Sequence, residues 1–340
     1  MADGLVEFDV RANLDNLQKD MDSAQDTAKK GGNKLADIAG KSAKAIGAAA
    51  VGVGTAAVAA GGYAVNLAND VDKAMNSFLS STGYAADETG HFQNVLEKIY
   101  ANNYGEDFQD IADGMATVTQ NLGEMSDEQL QSITESAFAL RDTFEYDISE
   151  STRAAKAMMD NFGVSGDEAM SMIAAGAQNG LDYSGELIDS ISEYSTQFAK
   201  VGLDADDMFK IFEKGAESGA WNLDKVGDAV KEFSIRAIDG SDSTAAGFTA
   251  IGLNADEMAA KFGQGGETAK KAFSDTLKAL SSIEDPLEKD AAGVALFGTM
   301  WEDLGPGVIT ELNFVSDAFN RTYDSAEAVS YTHLTLPTNS

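Results

Sequence analysis

Lys200-Val201-Gly202-Leu203-Asp204-Ala205-Asp206-Asp207 is one of five versions of the same junction. The others centre on Gly83 with Asp87 and Glu88, on Gly123 with Asp127 and Glu128, on Gly163 with Asp167 and Glu168, and on Gly252 with Asp256 and Glu257. The shared form is a glycine, three residues, then two acids. Glycine adopts the left-handed conformation that stops a helix. Two carboxylates in the next helix's first turn meet the partial positive charge of its N-terminus. Leu203 and Leu253 stand where an apolar residue staples the start of the new helix. The glycines are spaced 40, 40, 39 and 50 residues apart, and about 40 residues is the size of one helix hairpin. The reading is all-α: an elongated array of helices and hairpins with a degenerate repeat, either a solenoid or the successive helices of one irregular domain. The longer last interval holds Ile238 to Thr244, which reads as a loop-like insertion.

Working outward, the chain of 340 residues has no cysteine, 3 prolines and two histidines, His91 and His333. Disulfide frameworks, zinc ribbons, thiol nucleophiles and iron–sulfur sites are excluded. With 56 acidic and 24 basic residues the formal net charge is −32. That field repels nucleic-acid phosphates, so sequence-specific nucleic-acid binding is not expected. The first residues carry acids and no basic cluster, unlike a secretory signal.

Val6, Phe8 and Val10 alternate with charged residues, so residues 1–12 read as a short strand or an extended arm. Residues 13–44 carry Leu14, Leu17, Met21, Ala24 and Ala28 on one helical stripe, an amphipathic segment broken at Gly31 and Gly32. Residues 45–69 are uncharged and rich in alanine and glycine. Ala45, Ile46, Val51, Val53, Val58, Tyr63 and Val65 are the candidate membrane-inserting residues. The length matches a membrane span. Small residues such as Gly47 and Gly52 equally suit close helix packing. Residues 70–315 form the main helical region, and 316–328 begin the next segment. Residues 329–340 change composition abruptly, and Tyr331-Thr332-His333-Leu334 and their neighbours resemble the translation of a sequencing-library adapter. On that reading the natural chain continues past residue 328.

Catalytic chemistry is not legible. Asp204, Asp206 and Asp207, or Asp239 and Asp242, lack the twelve-residue calcium-loop pattern and read as helix-cap acids. Gly263-Gln264-Gly265-Gly266 lacks the Gly-Lys-Ser/Thr of a phosphate loop. His91 reads as a helix-start residue. No cofactor or metal site is expected.

One ordered set of motifs remains. Ala250 to Met258 leads through Phe262 to Gly266 into a helix with Ala269, Phe273, Leu277 and Leu280. An Asp285-Pro286 turn follows, then Leu296-Phe297-Gly298 before Trp301. This order resembles the tape measure proteins of long-tailed bacteriophages, over roughly residues 70–315. The resemblance implies a mostly helical structural protein that lies in the tail tube lumen and sets tail length. It implies self-association, with tail tube, tail-tip and tail assembly chaperone proteins as partners. It also implies exit from the tube on infection, and hydrophobic segments that help the genome through the host membrane. Such a protein belongs to the virion, and to the host cytoplasm during assembly. Two other readings stay open: a helical membrane-active or pore-forming protein, and the N-terminal part of a tail-associated lytic enzyme.

Overall fold

The computed structural model describes residues 61–312. The strand or arm over 1–12, the amphipathic segment 13–44, most of the uncharged segment and everything from 313 onward lie outside the described residues. Among those described there are fifteen α-helices and no strands.

The first four junction glycines each follow a helix. These helices are α1 (Gly61–Thr82), α3 (Phe108–Leu122), α5 (Ile148–Phe162) and α7 (Leu187–Lys200). The glycines hold φ of +79° at Gly83, +90° at Gly123, +73° at Gly163 and +79° at Gly202. Between them run α2 (Thr89–Ala101), α4 (Asp127–Phe144) and α6 (Gly166–Gln178), with α8 (Ala205–Glu217) after Gly202 and then α9 (Leu223–Arg236). A short 3₁₀ turn, Ala86–Glu88, precedes α2. Each interval of about 40 residues is therefore one helix hairpin.

The hairpins stack in two layers. Helices α1, α3, α5, α7 and α9 pack one on the next, and α2, α4 and α6 form the second layer. Polar bonds fix the register between neighbours of a layer. Gln120 donates to the Ser81 carbonyl at 2.9 Å, and Asn102 donates to Glu135 at 2.8 Å. His91 opens α2 and contacts Asp127, the first residue of α4, at 2.8 Å. Apolar side chains from both layers, such as Phe138, Met158, Ile173 and Phe198, are fully buried. Burying one such side chain contributes about 1.5–3 kcal/mol.

At four of the five junctions the local cause of the start is a cap two or three residues past the glycine. Ser126, Ser165, Asp204 and Asn254 accept backbone N–H bonds at the starts of α4, α6, α8 and α11 (Ala255–Gln264). Such a cap stabilises its helix by about 1 kcal/mol. The paired acids then fall in the first turn. Leu203 and Met208, flanking the Asp204 cap, are both buried.

The 50-residue interval differs from the sequence reading. Residues 238–241 are turn, but 242–244 already belong to a helix. Gly240, at φ +67°, stands 38 residues after Gly202 and follows α9. Ser241 then caps a new helix, α10 (Asp242–Ala250), by accepting the Thr244 N–H at 3.2 Å. Gly252 ends α10, inside a terminal unit that α11 continues with α12 (Gly266–Ser281), α13 (Pro286–Phe297), α14 (Met300–Leu304) and α15 (Pro306–Glu311). This unit closes the stack: α13 and α14 pack on α9, and α15 reaches α8.

Candidate functional site

Two polar constellations stand out, both built on the last hairpins of the stack. The first joins the stack to the terminal unit. Gly202 is the tightest of the five junctions: an added β-carbon would lie 2.1 Å from the Gly266 carbonyl oxygen. At Gly83, Gly123, Gly163 and Gly252 such an atom would meet nothing within 4 Å. Beside this contact, Lys270 of α12 bonds Asp207 at 2.6 Å and Asp204 at 3.2 Å. Asp207 is only 2% exposed. Its burial raises the carboxyl's pKa, against the pull of Lys270. Burial works against the Lys270 charge, yet its bonds to Asp207 and Asp204 raise its pKa overall. The acids of this junction therefore serve as a helix cap and an ion pair. Among the described residues, no three of His, Cys, Asp or Glu are grouped to hold a metal ion.

The Asp-Pro to Phe-Gly motif sits in the same region. Asp285 caps α13 by accepting from Leu287 and Glu288, and Pro286 is the first helical residue, where its missing N–H costs nothing. Leu296 and Phe297 are fully buried, and Phe297 stacks on Phe233 of α9 at 5.0 Å. Gly298 turns the chain at φ +59°, with the Arg236 guanidinium 2.7 Å from where a β-carbon would stand. Trp301 follows, buried, and its indole donates to Asp290 at 3.0 Å. These residues plug the terminal unit onto α9.

The second constellation lies between α7 and α9. Tyr194 packs its ring against Gly227, where an added β-carbon would fall 2.1 Å from the ring. Its hydroxyl donates to Asp224 at 2.6 Å and meets Asp228 at 3.1 Å. Burial first, then these hydrogen bonds and charges, push the phenol far above its usual pKa. Lys231 bonds Glu193 at 3.1 Å and lies over the Tyr194 ring. Ser234 donates to Gln197 at 3.1 Å, and the Leu223 N–H donates to Ser184 at 3.2 Å. The two helices therefore run parallel, in a register of 37 to 39 residues at these contacts. The sequence reading did not single out this face. Its one available signal was the run of acids at repeat spacing, which is indistinguishable from solvated helix surface.

Tyr63 and Val65 fall within α1, while Ala45, Ile46, Val51, Val53 and Val58 lie outside the described residues. Among those described, no helix is long and apolar enough to cross a membrane.

The model of the phage-related minor tail protein family matches residues 100–298, more than half of the chain. The chain belongs to that family. A structural role in a phage tail follows from this membership. The matched span of this minor tail protein runs from the end of α2 to Gly298, so it takes in the later hairpins and the Phe-Gly plug. The chain is also similar to a probable tape measure protein of Streptomyces phage phiC31, 29% identical over 138 residues. That alignment covers 41% of this chain and 19% of the relative, so the chain spans a small part of the relative's length. No solved structure matches.

Proposed function

We propose that this minor tail protein is part of a tape measure: it occupies the tail tube lumen and its length sets the length of the tail. The observation that carries this reading is the similarity to the phiC31 protein together with the family match. The repeated hairpin gives the reading a physical basis. A continuous helix rises about 1.5 Å per residue, so a 40-residue unit drawn out as helix measures about 60 Å. The same unit folded as a stacked hairpin advances the array by only about 8–10 Å, one helix-to-helix distance.

On this reading the protein acts in the virion, after assembly in the host cytoplasm. Its partners are other copies of itself, the tail tube, the tail tip and tail assembly chaperones. The uncharged residues 45–69 would serve genome passage at the host membrane after release from the tube. In-frame deletion of residues 124–163 from the phage gene, followed by electron microscopy of tails, tests the proposal. Tails shorter by about 60 Å mean a helix drawn out in the tube; shortening by about 10 Å means the stack persists there. Normal tails of unchanged length overturn the ruler role.

A further inference from the structure

Helix α13 is apolar on two faces. On the inner face Phe297 stacks on Phe233 of α9, and Leu296 lies against Gly247 of α10. Leu287, Ala291 and Val294 fall on the opposite face, at the four- and three-residue spacing of one helical stripe. Leu287 is 81% exposed, Val294 is 39% exposed, and Ala291 between them is exposed too. A surface helix ordinarily turns charged or polar residues to water on that side. In a chain of net charge −32, this stripe carries no charge.

The two ends of the stripe are marked by opposite charges. Glu284 stands exposed in the turn before α13. At the far end the Arg236 guanidinium lies beside Gly298, the next position along the stripe. Its Nε bonds Glu232 at 3.3 Å, and a guanidinium has further donors to offer. Ile235 and Ile238, close to Arg236 in sequence, are also exposed. A stripe with an acid at one end and a guanidinium at the other is complementary to its own reverse. We propose that a second copy of this chain docks on the outer face of α13, as an antiparallel two-fold pair. Leu287 of each copy then faces Val294 of the other. In that register Glu284 of one copy comes opposite Phe297 of the other, next to Gly298 and Arg236. A parallel pair would instead set Glu284, Asp285 and Glu288 against themselves. A basic partner gains more from the acidic helix faces than from an uncharged stripe, so the stripe fits a partner that is itself acidic. The 12 residues of α13 measure about 18 Å, which places the contact among weak interfaces of under about 1,200 Å². The inference gives the self-association named above a surface, and rests on that reading only for copies being present together.

The absence of cysteine makes the test direct. A thiol at Ala291→Cys in the full chain, treated with a short bismaleimide, should give a linked dimer at least about tenfold faster than one at Glu128→Cys, an exposed control on α4, because docking raises the local thiol concentration. Leu287→Lys and Val294→Glu should each weaken the dimer Kd at least about tenfold in sedimentation. An equal mixture of these two variants should recover it, since the new lysine of one faces the new glutamate of the other and one Leu287–Val294 contact remains. A folding defect cannot produce that recovery. A chain that stays monomeric, equal linking at both thiols, single variants that still pair, or a mixture that stays apart overturns the proposal. Tail length is not the readout, so the ruler role stands or falls separately.

Discussion

The Gly266 carbonyl oxygen stands 2.1 Å from where a β-carbon on Gly202 would lie, so two backbones 64 residues apart in sequence meet without a side chain between them. Lys270, Asp207 and Asp204 surround the contact. This is where the repeat stack and the terminal unit are joined.

Gly202→Ala and Gly163→Ala should differ sharply, although both glycines end a helix of the same layer. At Gly163 the added methyl meets nothing, and only the left-handed backbone is strained, at about 1–2 kcal/mol. At Gly202 the methyl also strikes backbone, adding about 1–3 kcal/mol. Urea unfolding of the two variants measures the difference; equal losses would contradict the close approach.

Lys270→Met should destabilise the protein by about 3–5 kcal/mol, because it leaves the Asp207 carboxylate buried without its partner. Adding Asp207→Asn should recover much of that loss, as the buried charge is gone. Thermal unfolding of the single and double variants reads the recovery. Additive losses would show that the pair is not coupled.

Phe297→Ala should cost about 3–5 kcal/mol and loosen the terminal unit from α9, since Phe297 is fully buried and stacked on Phe233. Trp301 reports locally, because it is 2% exposed while Trp221, the other tryptophan, is 63% exposed. In a Trp221→Phe background the variant's fluorescence should shift to the red before global unfolding. An unchanged spectrum would contradict the plug.

Alkaline pH should weaken the α7–α9 contact. The folded-state pKa of Tyr194 is raised above the unfolded value of 10.0. Its contribution is therefore complete below pH 10 and is lost progressively as pH rises above that value. Tyr194→Phe should cost about 1 kcal/mol at neutral pH and flatten the alkaline fall in stability. Ultraviolet titration of phenolate should show fewer tyrosines ionising near pH 10 in the folded wild type than in the unfolded chain, with Tyr194 and Tyr146 among those held back, and Tyr194→Phe should remove one of them.

Much of the fold was legible before any coordinates. The glycine stops and paired acids act within one turn of helix, so their spacing alone marked the hairpins. The family-like order from Asp285 to Gly298 was also legible, although its purpose was not: Phe297 works only because Phe233, far away in sequence, lies under it. The 50-residue interval misled because Gly240 keeps the repeat register but is followed by Ser241 and a new helix. A polar Ser-Asp-Ser run looks the same in a loop and at a helix start.

The sequence by itself determined the all-α class, the hairpin length and the absence of cysteine chemistry. Those follow from backbone preference, capping and composition, which are local. Only the tertiary structure decided that α9 is shared between the stack and the terminal unit, and that Gly202 differs from its four equivalents. It alone set the Tyr194 hydroxyl of α7 between Asp224 and Asp228 of α9. These depend on which faces meet across 30 to 70 residues of chain, and a local pattern does not encode which of many acidic helix faces will meet.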